Sequence, residues 1–221
     1  MKLVIVGHGG HSKVVHDLII SENRFEIIGY LDEKYKEISL VDNIYFGPVH
    51  SAKDMLLKFI NIKFIVAIGD NKVRKQVIEK LNLQDEYFTT LIHKTAWISP
   101  SSKIGNGTVV MPNVVINADS KIGNHTIINT GAIIEHDSII GNFSHVSPGA
   151  VLTGAVQIEE CVHIGAGATI IPSIKIGKCS VIGAGATVIN HVPSDCTAVG
   201  VPAIVKKINK TGGENIAKYN I

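Results

Sequence analysis

The sequence predicts a small parallel α/β domain followed by a long β-solenoid, and three observations carry that prediction. Across residues 98–188 a bulky aliphatic residue recurs every six positions without interruption. Upstream, the β-branched run Lys2–Val6 ends in Gly7-His8-Gly9-Gly10-His11 and opens onto a helix-like pattern at Val14, Val15, Leu18 and Ile19. Two further apolar runs, residues 26–31 and 63–68, lead into turns at Asp32 and at Gly69.

Taken in order, strand, glycine turn and helix at the N-terminus point backbone N–H groups toward a site suited to phosphate. The glycines do not fit G-x-G-x-x-G, which weakens a dinucleotide reading. The second strand delivers Asp32 about twenty residues after the glycine turn, where a carboxylate can bond a ribose or sugar hydroxyl or simply serve as a turn residue. Residues 54–59 read as a short helix. The third strand ends at Gly69-Asp70-Asn71, placed to line the same crevice as the glycine turn, and a helix follows through Val73, Val77, Ile78 and Leu81. Residues 1–90 are therefore expected to form a Rossmann-like domain, with Leu91-Ile92-His93 leading out of it.

From Ile98 the aliphatic series runs through Ile104, Val110, Ile116, Ile122 and onward to Ile182 and Val188. An amphipathic helix needs spacings of three and four, and a half-buried strand needs alternation, so neither explains a period of six. A solenoid does: each hexapeptide supplies one short strand and one corner, and the aliphatics stack into a narrow core. Small or β-branched residues four positions on, such as Thr108, Ser120, Ala132, Ser144 and Ala168, fit beside that stack. The repeat ends after Val188. A loop at His191-Val192-Pro193-Ser194-Asp195 precedes Thr197-Ala198-Val199-Gly200-Val201-Pro202-Ala203. The second domain is thus residues 91–208, and residues 209–221, polar with paired glycines, are expected to be a loosely ordered tail.

Composition agrees. Hydrophobic content of 45% with 18% charge describes an ordinary globule, and aromatics at 5% suit a core too thin for rings. A net charge of +2, with scattered Lys and Arg, gives no reason to expect nucleic acid or an anionic membrane surface as partner. The N-terminal apolar run is too short for a signal sequence and nothing approaches a membrane span, so a cytoplasmic protein is expected. The three cysteines lack metal-ligand spacing, and no metal or disulfide framework is expected. Cys161 and Cys179 are expected to be small buried thiols.

Four histidines fall in the solenoid: His125, His136, His145 and His163. Asp137 directly follows His136, and a carboxylate beside an imidazole orients it and stabilises its protonated form, as a general base requires.

The repeat resembles the left-handed parallel β-helix of hexapeptide-repeat acyltransferases, in which three hexapeptides make one triangular coil of eighteen residues. With that period His136 lies directly beneath Gly154, and His145 beneath His163, each pair separated by roughly 4.8 Å. Gly7-His8-Gly9-Gly10-His11, Glu135-His136-Asp137, His145-Val146-Ser147-Pro148-Gly149-Ala150 and Gly200-Val201-Pro202-Ala203, in this order and spacing, resemble the bacterial nucleotide-sugar acetyltransferases. That group includes enzymes acting on UDP-4-amino-4,6-dideoxy sugars, together with the related sialic acid O-acetyltransferases.

The resemblance implies that acetyl-CoA is the co-substrate and that no metal takes part. It implies His136 as general base, Asp137 as its carboxylate partner and Gly154 N–H as the oxyanion donor. His145 would contact the acetyl thioester, with His163, Gly165, Gly200, Val201, Pro202 and Lys206 or Lys207 around the coenzyme. Gly9, Gly10, His11, Asp32, Gly69 and Asn129 would bind the nucleotide sugar. The implied functional unit is a homotrimer with the coenzyme between neighbouring solenoids. Other readings stay open: O-acetylation of sialic acid or another surface sugar, a metal-dependent hydratase resembling γ-carbonic anhydrases, and a scaffolding protein without catalysis.

Overall fold

The computed structural model describes residues 1–208; the tail at 209–221 lies outside the described residues. The N-terminal part opens with β1 (Lys2–Val6), α1 (Gly10–Glu22) and β2 (Glu26–Leu31). A hairpin of β3 (Ser39–Val41) and β4 (Ile44–Gly47) follows, then α2 (Ala52–Lys58), β5 (Ile62–Val66) and α3 (Asn71–Leu81). The sheet order is β3-β4-β2-β1-β5, and only the β3–β4 pair is antiparallel. The sequence reading placed the second and third strands well but left the hairpin out. Its turn, Asp42-Asn43, has φ of 47° and 65°, the left-handed pair that a two-residue hairpin demands and that Asp and Asn tolerate.

β1 lies inside the sheet between β2 and β5, and residues 3–6 are fully buried, which is why they form an unbroken apolar run. α3 starts on Asp70, whose carboxylate accepts the Val73 N–H at 2.9 Å, and it stops at Asn82 in the left-handed conformation.

The rest of the chain is a triangular parallel β-helix made of two-residue strands. Its three sheets gather the strands beginning at 97, 115, 133, 151, 169 and 187, those at 103, 121, 139, 157 and 175, and those at 91, 109, 127, 145, 163 and 181. Register is eighteen residues from coil to coil, as in Ile127 opposite His145 and His145 opposite His163. Leu91–Ile92 pairs with Val109–Val110, so the solenoid begins one hexapeptide before the aliphatic series does. Ile128, Val146 and Ile164 are fully buried, each worth roughly 1.5–3 kcal/mol against exposure. The small polar residues four positions on have a second use: the hydroxyls of Thr108, Ser120 and Ser144 donate to Gly123, Glu135 and Glu159 carbonyls in the next coil, at 2.8, 2.9 and 2.9 Å.

Each corner turns on a left-handed residue repeated once per coil. Asp119, Asp137, Ala155 and Ser173 form one such column, with φ from 58° to 63°. The stack closes with an antiparallel hairpin, Cys196–Val199 against Ile204–Ile208, that extends the third sheet.

The two parts share one apolar core. Leu3, Ile5, Val15, Leu18, Ile19 and Ile65 pack into the same cluster as Leu91, Val109 and Val110. Among the described residues no helix is long and apolar enough to cross a membrane.

Candidate active site

Where β1, β2 and β5 end, the chain leaves a cavity of about 350 Å³ lined by the glycine turn, Asp32, Glu33 and the loop at Gly69. Gly9, Gly10 and Gly69 face open space, so nothing crowds the backbone where a ligand would lie. Asp32 shapes this crevice: its carboxylate accepts the N–H of His8 at 2.6 Å and of Lys34 at 3.0 Å. The His8 ring stacks on Tyr30 at 4.4 Å and bonds the Tyr35 hydroxyl at 2.6 Å, while Lys34 Nζ donates to the His8 carbonyl at 2.9 Å. Sequence reading found Asp32 by its spacing but not Tyr35 or Lys34, whose roles depend on the turn folding back over His8.

Behind the cavity the two domains meet in a buried polar cluster. Arg74, 1% exposed, is its centre and was not singled out from the sequence. Its guanidinium donates to the carbonyls of Ile68 and Gly69 in its own domain and to those of His125, Phe143 and Ser144 in the solenoid, and also to the Asn71 side chain, at 2.8 to 3.2 Å. Burial lowers its pKa to about 10, which leaves it charged at neutral pH. A signal existed: Asn71, Arg74, Val77 and Leu81 make the buried face of α3, and an arginine at such a position needs partners.

His145 belongs to this cluster. Its Nδ1 lies 3.3 Å from the Gly69 carbonyl and its Nε2 3.2 Å from Asn129 Nδ2, so the neutral Nδ1–H form satisfies both. The His163 ring packs edge-on at 5.0 Å and bonds the Ser147 hydroxyl at 3.2 Å. Burial, with His163, Arg74 and His11 nearby, pushes the His145 pKa to about 3; burial and Arg74 push His11 to about 4. His163 is lowered too, first by burial. Among the described residues His11 Nε2 is buried without a partner, at the edge of the cavity. No three of His, Cys, Asp or Glu among the described residues are placed to share a metal ion.

These depressed values make stability pH-dependent. In the unfolded chain a histidine binds protons below about 6.5, whereas His11 and His145 stay neutral in the fold down to about 4 and 3. The unfolded state therefore holds more protons between these limits, and stability is lost as pH falls from 6.5 toward 4. We expect a loss on the order of 1 kcal/mol per histidine between pH 7 and 5, read from urea midpoints across that range. A flat profile would contradict the neutral cluster.

His136 sits elsewhere, at an exposed corner between the first two sheets. Its Nδ1 is 2.8 Å from Asp137 Oδ2, and both side chains are about 60% exposed. The hydrogen bond to Asp137 raises its pKa and directs Nε2 outward. Asp137 can reach back because it holds the left-handed corner position, φ 60°. Directly above, a Cβ placed on Gly154 would lie 2.9 Å from Cε1 and Nε2 of His136, so only glycine lets the ring rest there. The Gly154 N–H has no acceptor among the described residues.

The structure thus brings His136, Asp137 and Gly154 together, and separately His11, Gly69, Asn129, His145 and His163. Within one chain His145 is not beside His136. Gly165 has a solenoid glycine's packing, since a Cβ there would lie 2.5 Å from Ala184 N. Gly200, Val201 and Pro202 form the turn of the final hairpin, tied to the first sheet by Thr187 N–H to Gly200 carbonyl at 3.1 Å. Val201 and Lys206 are exposed; the Lys207 side chain lies outside what is described.

Comparison with known proteins agrees on both domains. The PglD N-terminal domain family matches residues 2–81, and the bacterial transferase hexapeptide family matches residues 101–136, 119–154 and 155–190. UDP-N-acetylbacillosamine N-acetyltransferase of Bacillus subtilis (strain 168) is 44% identical over 109 residues; that match takes in 49% of this chain and 50% of the relative, about half the length of each. PerB from Caulobacter crescentus, solved in complex with CoA and GDP-perosamine, superposes with a TM-score of 0.85 at 34% identity, covering 94% of this chain and 98% of that one. The acetyltransferase domain of PglB from Neisseria gonorrhoeae FA1090, solved with acetyl coenzyme A, gives 0.80 at 33% identity, with 93% and 98% covered. Matched in this way over both its cavity-bearing α/β domain and its coils, the chain belongs to the nucleotide-sugar acetyltransferases of the left-handed β-helix, hexapeptide-repeat superfamily.

Proposed function

We propose that this protein transfers the acetyl group of acetyl-CoA to the amino group of a nucleotide-linked amino sugar, with His136 as general base. The observation that carries this reading is the exposed His136–Asp137 pair seated under Gly154. Asp137 holds Nδ1 and leaves Nε2 to take the proton of the amine as it attacks the acetyl carbonyl. The Gly154 N–H then faces the oxyanion, and the coenzyme leaves as thiol. The cavity at the glycine turn takes the nucleotide, with His11 and the α1 N-terminus toward its phosphates and Asp32 ordering the turn. With acetyl-CoA and a nucleotide sugar as co-substrates, the proposed reaction would run in the cytoplasm.

The proposed functional unit is a homotrimer, and the placement of these groups supports it. Asn129 and His136 stand at opposite ends of the strand row that begins at Ile133, with one face of the prism between them. The closing turn at Gly200 also sits at the end away from His136, beside Thr187. A neighbouring copy that sets its His136 corner against the Asn129 edge completes the site. The outward residues Trp97, Val115, Ile133 and Val151 on the intervening face are uncharged, whereas the second sheet exposes Lys103, Lys121 and Lys175.

Thiol release from acetyl-CoA tests the reading, using a panel of a UDP-4-amino-4,6-dideoxy sugar, other nucleotide-linked amino sugars including GDP-linked ones, and free sialic acid. Release with only nucleotide-linked amino sugars supports it; release with sialic acid alone would transfer His136 to O-acetylation. Gly154→Ala provides a second check. Its Cβ would push the His136 ring aside, so turnover should fall at least about tenfold while stability changes by less than about 1 kcal/mol. Unchanged turnover would remove Gly154 from the site.

A further inference from the structure

The solenoid corner under α3 carries its own column of left-handed residues, one per coil: Gly107, His125, Phe143, Cys161, Cys179 and Asp195. Cys161 and Cys179 are consecutive in it, with φ of 62° and 55°. Their N–H groups bond equivalent carbonyls one coil down, those of Asn142 and Glu160, at 2.9 and 3.0 Å. Two residues in one conformation at one corner project their side chains the same way, about 4.8 Å apart along the stack. That spacing lies inside the roughly 4.4–6.8 Å between Cα atoms that a disulfide spans. The two thiols are neighbours in the stack; Cys161 is buried and Cys179 partly exposed.

We propose that Cys161 and Cys179 form a reversible disulfide that staples two consecutive coils beneath α3. The oxidant is a small-molecule disulfide of the oxidised-glutathione type. Cys179, which solvent can reach, attacks it as thiolate, releases one small thiol and leaves a mixed disulfide. Cys161 then gives up its proton to solvent and attacks the Cys179 sulfur, releasing the second small thiol. Two protein thiols are oxidised and one small disulfide is reduced. Burial holds the Cys161 thiol protonated at rest, with a pKa raised to about 11, which assigns the first attack to Cys179. Cys196 lies outside the column, its Sγ on the Ser194 carbonyl at 3.3 Å. The staple has a position of consequence, because the Cys161 and Val162 carbonyls accept from Asn71 at 3.3 and 3.0 Å, at the start of the helix that follows the Gly69 loop.

The test is to incubate the full chain with excess oxidised glutathione, count thiols after denaturation, and map the linked peptides by mass. Three free thiols should fall to one, with a Cys161–Cys179 link that dithiothreitol reverses. Cys196→Ser should still lose two thiols, and the oxidised protein should melt higher by roughly 5 °C. A glutathione adduct that stays on Cys179, a link through Cys196, a link between copies, or no loss of thiol would each overturn the proposal. Peptide mapping of the unsubstituted chain decides the matter even if Cys161→Ser does not fold.

Discussion

His136→Ala is expected to lower turnover by roughly a hundredfold or more, because it removes the proposed base, whose ring rests beneath Gly154. The ring is exposed, so its loss should leave the thermal midpoint almost unmoved. Near-normal turnover would end the proposed mechanism. Asp137→Asn separates orientation from charge. The hydrogen bond to Asp137 raises the His136 pKa, and a base acts only when deprotonated. Removing the carboxylate should therefore lower kcat and also shift the acid limb of kcat/KM toward lower pH. A lower kcat with an unmoved limb would assign Asp137 a different part.

Arg74→Ala is expected to have the largest effect on stability, about 3 kcal/mol or more, measured by chemical denaturation. Five carbonyls, two in buried and three in partly buried hydrogen bonds, lose a charged donor at one stroke. Among the described residues no carboxylate bonds the guanidinium, so the substitution removes a donor from acceptors rather than a partner from a charge. Arg74→Lys should recover little, since an ammonium cannot reproduce bonds that fan out to two domains. Because Arg74 also bonds the Gly69 loop, KM for the nucleotide sugar should rise in any variant that stays folded. A loss below about 1 kcal/mol would mean that the apolar core alone holds the domains together.

The solenoid was legible because a single spacing encodes it, and a period of six has no rival among helices and strands. His136 over its coil and Gly154 above it followed once eighteen residues made a turn. The hairpin at Asp42-Asn43 was less visible, since β3 is a wholly exposed edge strand with no buried face to leave a pattern. Arg74 and the partners of His145 could not be read in the same way. What they do is decided by which solenoid corner α3 docks against, and contacts such as Arg74 to Phe143 join residues far apart in the chain. His145 stacks below His163 as periodicity implies, but the carbonyl that holds its ring comes from Gly69.

The eighteen-residue register also works as a ruler. His136 follows the strand at Ile133, and the closing turn is tied to Thr187, which is three coils higher in the same column. At roughly 4.8 Å per coil the His136 corner and the closing turn, which stand at opposite ends of the strand row, differ in height by about 14 Å along the solenoid axis. That height can change only in whole steps. Inserting or deleting one coil between them would move the closing turn by a full coil and leave the core intact. A single-residue deletion would instead turn every aliphatic above it out of the stack. The height between the His136 corner and the closing turn is therefore a property counted in coils, before any side chain bears on it.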